Sequence, residues 1–240
     1  MDDRERRVAL VTGGSRGIGL ATAKRLAADG HQVAVTWRSE PPPEDAGLLA
    51  VKCDITDTEQ VDAAFGEVEQ ALGPVGIVVA NAGITRDQLT VRMSDADFDD
   101  VVDTNLAGGF RVARRGLRPM MKARWGRLVF VSSVVASTGG PGQANYAAAK
   151  AGLVGLARSL AREFGSRSIT ANVVAPGPID TEMFEAVDEA RQEAVIAAVP
   201  LARTGTVTEV AATIAFLCSD EASYITGAVL PVDGGLGMGT

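Results

Sequence analysis

Residues 8–19 read VALVTGGSRGIG, and the chain runs on into LATAKRLAADG at 20–30. Apolar, mostly β-branched residues, then a glycine-rich turn, then an amphipathic pattern spell a strand, a tight turn and a helix. The alternation continues outward. Strand-like runs recur at VALVT (8–12), QVAVTW (32–37), GLLAVKC (47–53), GIVVAN (76–81), GRLVFVSS (126–133), ITANVVA (169–175) and GAVLPV (227–232). Helical patterns such as TEQVDAAFGEVEQALG lie between most of them. Continuous apolar strands separated by helices predict an α/β protein with a parallel seven-stranded sheet covered on both faces. No linker composition or internal repeat divides residues 1–240, so one domain is expected. One crossover differs: SEPPPEDA, after Arg38, holds too much proline for a regular helix and predicts a loop or a fragment of helix.

Composition narrows the function. The formal net charge is −7 and the pI about 4.8, which argues against a general nucleic-acid binder. No apolar run reaches the ~18 residues of a membrane span, and MDDRERRVALVTGG lacks the features of a secretory signal, so a cytoplasmic protein is expected. Cys53 and Cys218 belong to no CxxC motif and read as small buried hydrophobes. His31 is the only histidine and has no ligand cluster around it, so neither a metal site nor a histidine triad is expected.

The glycine loop carries the first chemistry. Between the first strand and first helix of such a sheet, TGGSRGIG lets backbone approach a pyrophosphate, with the helix dipole behind it. This is a Rossmann-type, doubly wound dinucleotide site. The second strand ends in TWRSE, with Trp37 and Arg38 where a site for NAD carries an acid. Arg38 and Arg16 suit the 2′-phosphate of NADP(H), since a guanidinium binds phosphate through two donors. CDIT (53–56) places Asp54 to accept from the adenine amine, and ANAG (80–83) sets a small backbone beside the cofactor. Both stretches end strands, where open α/β sheets bind ligands.

Residues 143–150 read QANYAAAK, with Tyr146 and Lys150 one helical turn apart. Taken alone this is an ordinary solvated pair. Together with TGGSRGIG, ANAG, Ser133 and the PG of 176–177, it resembles the short-chain dehydrogenase/reductase family from Val8 to the VDGG at 232–235. Within that family GITRDQLTVRM, NLAGGF and GQANYAAAKAGLVG are most similar to 3-oxoacyl-[acyl-carrier-protein] reductases. The short second crossover and ASYITGAVLPVDGGLGMG resemble an actinobacterial branch serving long-chain, mycolic-type elongation.

The resemblance implies a catalytic set of Asn105, Ser133, Tyr146 and Lys150. Ser133 would hold the substrate carbonyl, although a helix or turn cap is the commoner use of serine and Ser132 could serve there instead. Tyr146 would donate the proton. An ammonium ~4 Å away contributes about 4 kcal/mol at an effective dielectric of 20, so Lys150 is expected to lower the phenol by roughly three pKa units, less desolvation. Asn105, expected in a helix interior, would hold a water that links Lys150 to solvent. Cofactor contacts would come from Gly13, Ser15, Arg16, Gly17, Ile18, Gly19, Trp37, Arg38, Asp54, Ile55, Asn81, Ala82 and Gly83, together with Tyr146 and Lys150. Pro176, Gly177, Ile179 and Thr181 would complete them around the nicotinamide.

Residues 182–203 read as a helical substrate lid or a plain surface helix. Pro178 stands where many relatives have Phe or Tyr. The implied reaction is NADPH-dependent reduction of a 3-oxoacyl thioester on acyl carrier protein, by a homotetramer. Arg124, Arg127 and Arg167 are candidates for docking the acidic carrier, against the alternative of scattered surface arginines. Another ketone, a coenzyme A thioester or a polyketide would use the same chemistry, and a non-catalytic NADP(H) sensor would use the same fold.

Overall fold

A computed structural model describes residues 6–238. The seven strands are β1 (Val8–Val11), β2 (Gln32–Trp37), β3 (Leu49–Lys52), β4 (Val75–Ala80), β5 (Gly126–Val131), β6 (Ile169–Pro176) and β7 (Val229–Val232). They form one sheet in the order β3-β2-β1-β4-β5-β6-β7, with every neighbouring pair parallel. The order reverses at β1, which lies between β2 and β4, and the carboxyl ends of β1 and β4 open the crevice where such sheets take ligands.

Helices cover both faces: α1 (Gly17–Ala28), α2 (Thr58–Leu72), α3 (Asp95–Val102), α4 (Gly108–Ala123), a single turn α5 (Val135–Thr138), α6 (Ala144–Phe164), short α7 (Glu182–Glu185), α8 (Glu189–Ala198) and α9 (Val207–Cys218). Two cores follow. Phe65, Met120, Phe130 and Leu153 pack the face under α2, α4 and α6, while Leu26, Ile214 and Leu217 fill the face under α1 and α9. Every residue of β5 and β6 is buried, which is why those stretches read as unbroken apolar runs. The proline-rich crossover is a loop with one 3-10 turn at Glu44–Ala46, as expected from Pro41–Pro43. Both cysteines are free and buried, and burial pushes their thiols up to about 11 at Cys53 and about 12 at Cys218.

Local sequence sets the helix starts. Asp57 caps α2 through the Glu59 and Gln60 amides, Ser94 caps α3, Asp188 caps α8, and Thr206 with Glu209 forms a capping box on α9. Helix α1 has no side-chain cap and no acid in its first turn, so its N–H groups and positive dipole end face the crevice. At the other end of the sheet Trp125 lies between two guanidiniums, Arg7 at 4.3 Å and Arg127 at 4.4 Å from the ring centre. Arg127 is 2% exposed. It donates to the carbonyls of Gly126, Ser168 and Ser219 and pairs with Asp220 at 3.1 Å. This corrects its reading as a carrier-docking residue: its charge is spent inside the protein.

Strand β7 has β6 on one side only, with Ala175 opposite Pro231. The Ala228 and Val232 carbonyls accept from Val173 and Gly177. Since a parallel strand alternates its hydrogen-bonding direction, Pro231 faces outward.

Candidate active site

The glycine loop is built by close contact. Gly13 has φ +63°, and a Cβ there would lie 2.9 Å from the Ala82 Cα, so the loop and the ANAG backbone touch. A Cβ on Gly19 would lie 2.3 Å from the Gly13 carbonyl oxygen, which leaves α1 room only for glycine. The Asn81 amide donates to the Thr12 and Gly13 carbonyls at 2.9 and 3.1 Å, and the Thr12 hydroxyl accepts from the Asn81 and Ala82 N–H groups. Both amide hydrogens of Asn81 therefore shape the loop instead of reaching outward. Ile55 is likewise turned inward, 5% exposed and packed against Gly108, so only its backbone faces the crevice.

The rim beyond the loop is charged. Trp37 ends β2 with the Lys52 ammonium 5.4 Å from its ring centre. Arg38, next along, lies 3.9 Å from the Asp54 carboxylate, whose other oxygen accepts from the Thr56 N–H and hydroxyl. Arg16 pairs with Glu182 at the start of α7. Both arginines are half-exposed or more at the crevice, each beside one carboxylate. Ser15 and Ile18 lie in the same turn. These groups fit a dinucleotide with a 2′-phosphate: an uncapped helix end, a backbone cradle that a methyl would fill, and two guanidiniums.

At the carboxyl end of β5 the chain turns through Ser132 and Ser133. Their hydroxyls divide the work, and the cap falls to Ser133 rather than to Ser132. Ser132 is buried and donates to the Lys150 carbonyl at 2.8 Å, while Ser133 Oγ accepts from the Val135 N–H at 3.3 Å, at the start of α5. The Ser133 hydroxyl also lies near enough to Tyr146 to favour its ionised form. Helix α6 carries Tyr146 and Lys150 on one face, with the Lys150 ammonium 5.6 Å from the tyrosine ring centre. Lys150 is 3% exposed and donates to the Val131 carbonyl at 2.8 Å.

Electrostatically the pair departs from expectation. Burial pushes the Tyr146 phenol up to about 12, the nearby Ser133 hydroxyl opposes that rise, and Asp87 adds to it. Burial brings Lys150 down to about 8. The anticipated lowering of the tyrosine by its lysine is absent: burial is the largest influence on the phenol, and Lys150 is not among the groups that shift it. A phenol in this state keeps its proton at neutral pH, as an acid must.

Asn105 is not in a regular helix interior. It sits in a π-turn, Asp103–Ala107, that joins α3 to α4. Its Oδ1 accepts from the Ile84 N–H at 2.8 Å and its amide donates to the Ile84 carbonyl at 2.9 Å. The side chain is thus committed to the chain leaving β4. A Cβ on Gly83 would lie 3.0 Å from Asn105 Oδ1 and 3.3 Å from Lys150 Nζ, so these two residues face one another across a glycine.

The segment after β6 closes the group. Gly177 donates to the Val232 carbonyl, Gly205 donates to Pro178 and accepts from Asp180, and the buried Ile179 packs on Gly205. Pro176 accepts from the Val134 N–H, and the Thr181 hydroxyl donates to the Ile179 carbonyl. The expected helix over 182–203 is two helices, α7 and α8, and α8 contributes no buried residue. Arg191 of α8 reaches the Pro141 carbonyl at 3.3 Å. Arg124 and Arg167 are exposed near the amino ends of β5 and β6, roughly 20 Å along the strand from Ser133. Sequence reasoning missed Asn145, which is fully buried beside Tyr146; its place in QANYAAAK gave no sign of its distant partners. No group of three or more metal-ligating side chains occurs among the described residues.

A family model described as enoyl-(acyl carrier protein) reductase matches residues 13–237. The 3-oxoacyl-[acyl-carrier-protein] reductase MabA of Mycobacterium tuberculosis is 54% identical over 233 residues, covering 97% of this chain and 94% of that protein. The 3-oxoacyl-[acyl-carrier-protein] reductase FabG of Escherichia coli is 46% identical over 240 residues, covering 98% of each.

Proposed function

The chain belongs to the short-chain dehydrogenase/reductase family, and from that premise we propose that it reduces 3-oxoacyl thioesters on acyl carrier protein with NADPH, in fatty-acid elongation. The observation that carries this is the meeting of Ser133, Tyr146 and Lys150 at the carboxyl edge of β5, beside the glycine loop. A serine hydroxyl beside a phenol held protonated suits a ketone oxygen better than the carbon–carbon double bond of an enoyl substrate.

NADPH would lie from Arg38 and Arg16 along the glycine loop, past Asp54 and Ala82 to Pro176–Thr181, and would supply the hydride. Ser133 holds the substrate carbonyl through its hydroxyl. Tyr146 gives its proton to the oxygen as negative charge develops there. Lys150, lowered to about 8 against about 12 for the phenol, is the better acid of the two and can restore the proton to Tyr146. Asn105 holds the chain after β4 against the site. The surface helix α8 and the 182–203 segment serve as a lid over the thioester.

No helix among the described residues is long and apolar enough to cross a membrane, and we place the protein in the cytoplasm as a homotetramer. Arg124 and Arg167 remain as a docking patch for the acidic carrier. Charge reversal there should weaken carrier-bound substrates while sparing a small thioester. The primary test is nicotinamide absorbance with NADPH or NADH and a 3-oxoacyl thioester. NADPH-dependent turnover, lost in Tyr146→Phe with cofactor binding kept, is expected. Absence of turnover with both cofactors overturns the reading.

A further inference from the structure

The residue before the proton-donating tyrosine has no assigned role, and its surroundings are unusual. Asn145 is 0% exposed, at the start of α6. Its amide donates to the Arg86 carbonyl at 3.0 Å and to the Asp97 carbonyl at 3.2 Å, and its Oδ1 accepts from the Tyr146 N–H at 2.7 Å. One side chain thus ties the catalytic helix to two segments nearly fifty residues or more away.

The segment it holds runs from Ile84 to Gln88 and has no regular secondary structure. It is fastened at almost every residue. Asn105 takes both backbone groups of Ile84, and Asn145 takes Arg86. The Gln143 amide donates to the Asp87 carboxylate at 2.8 Å, and the Gln88 N–H donates to the Gly142 carbonyl at 2.9 Å. The strap therefore joins the π-turn of Asn105 to the first turn of α6, and the Gln143 fastening is exposed while those of Asn105 and Asn145 are partly buried.

We propose that Asn145 is a positioning residue for Tyr146: it clamps the 84–88 strap to the first turn of α6 and so shields the phenol on the strap side and keeps it aimed past Ser133. The proposal rests on the reading of Tyr146 as the acid. Its physical logic is direct. Two partly buried carbonyls would lose their donor in an alanine variant, and a carbonyl left unsatisfied draws water or moves. Either response lets solvent reach the tyrosine from the strap side. The groups that face the phenol are Lys150 on its own helix, the Ser133 hydroxyl after β5 and Asp87 on the strap. Loosening the strap withdraws both its shielding and the Asp87 charge, so the phenol becomes easier to ionise.

Two tyrosines make this measurable without catalysis. Tyr224 is fully exposed, so a Tyr224→Phe background leaves Tyr146 as the only tyrosine in the chain. In that background we expect the tyrosinate absorbance of Asn145→Ala to begin about one pH unit lower than that of the parent. We expect kcat for the thioester to fall about 10–100-fold, with KM and the NADPH dissociation constant changed less than about threefold.

Gln143→Ala, which removes only an exposed fastening, serves if Asn145→Ala does not fold. It should shift the tyrosinate onset in the same direction by a smaller amount. An unchanged onset in a folded Asn145→Ala, or in Gln143→Ala where the first variant does not fold, overturns the proposal. A chain that turns over no 3-oxoacyl thioester would defeat the functional reading, whereas the titration would still report whether Asn145 holds Tyr146.

Discussion

Replacing Lys150 with methionine should abolish reduction and yet stabilise the protein at neutral pH. Lys150 is nine-tenths or more buried and is held from its ordinary 10.5 down to about 8 by desolvation. That depression costs the folded chain about 3 kcal/mol wherever the lysine is charged in both states. Below pH 8 the whole penalty stands. Between about 8 and 10.5 the folded chain has shed a proton that the unfolded chain still binds, so stability rises with pH. Above 10.5 the penalty is gone.

Methionine keeps the apolar stem but leaves the Val131 carbonyl without the donor it has at 2.8 Å, a loss of about 1–2 kcal/mol. The variant should therefore be roughly 1–2 kcal/mol more stable than the parent at pH 7. Its advantage should shrink through the window and reverse near pH 10, where only the lost hydrogen bond remains. Urea unfolding at a fixed protomer concentration, repeated from pH 7 to 10, measures this. A variant less stable at pH 7, or a difference that does not change with pH, refutes the claim that burial of the charged lysine is a cost the site carries for its chemistry.

Three further outcomes are expected. Glu182→Gln releases Arg16 from its exposed ion pair, so NADPH should bind about two- to fivefold tighter while NADH is unaffected, as read by fluorescence titration. In Gly19→Ala the methyl would meet the Gly13 oxygen at 2.3 Å and the Asn81 amide nitrogen at 2.6 Å; NADPH affinity should fall at least about 100-fold in calorimetry, since the pyrophosphate loop must open. The two adjacent serines should separate cleanly. Ser132→Ala loses the bond to the Lys150 carbonyl and about 1 kcal/mol of stability with kcat largely kept, whereas Ser133→Ala should lose about 100-fold in kcat at nearly unchanged melting temperature.

The central strands were legible because their residues are buried on both faces, and burial on both faces writes an unbroken apolar run. The glycine loop was legible because its requirement is local: Gly13 needs its positive φ and Gly19 its missing side chain whatever the rest of the chain does. Side-chain partners across the fold were not. Nothing near Asn105 names Ile84, and nothing near Asn145 names Arg86 or Asp97, because the hydrogen bonds join segments that only the folded sheet brings together. The direction of the Tyr146 shift was misread for a related reason. Four residues of spacing fix a neighbour, but the dryness of a site depends on elements from the whole chain. Arg127 shows the same limit from the other side, since a charged residue in sequence reads as surface until Trp125, Asp220 and three carbonyls are seen around it.

A sheet with a free strand at its border invites other chains to extend it, and β7 is such a border. Pro231 has no N–H to offer on the side that β6 leaves open. A second copy laid edge to edge along β7 could not continue the backbone ladder through that position. Contact between copies there must be made by side chains, which limits it to a partner of matching shape and stops the sheet from growing into a fibre. The same proline that shortens the hydrogen-bonded edge thus guards a place where open-ended aggregation would otherwise begin.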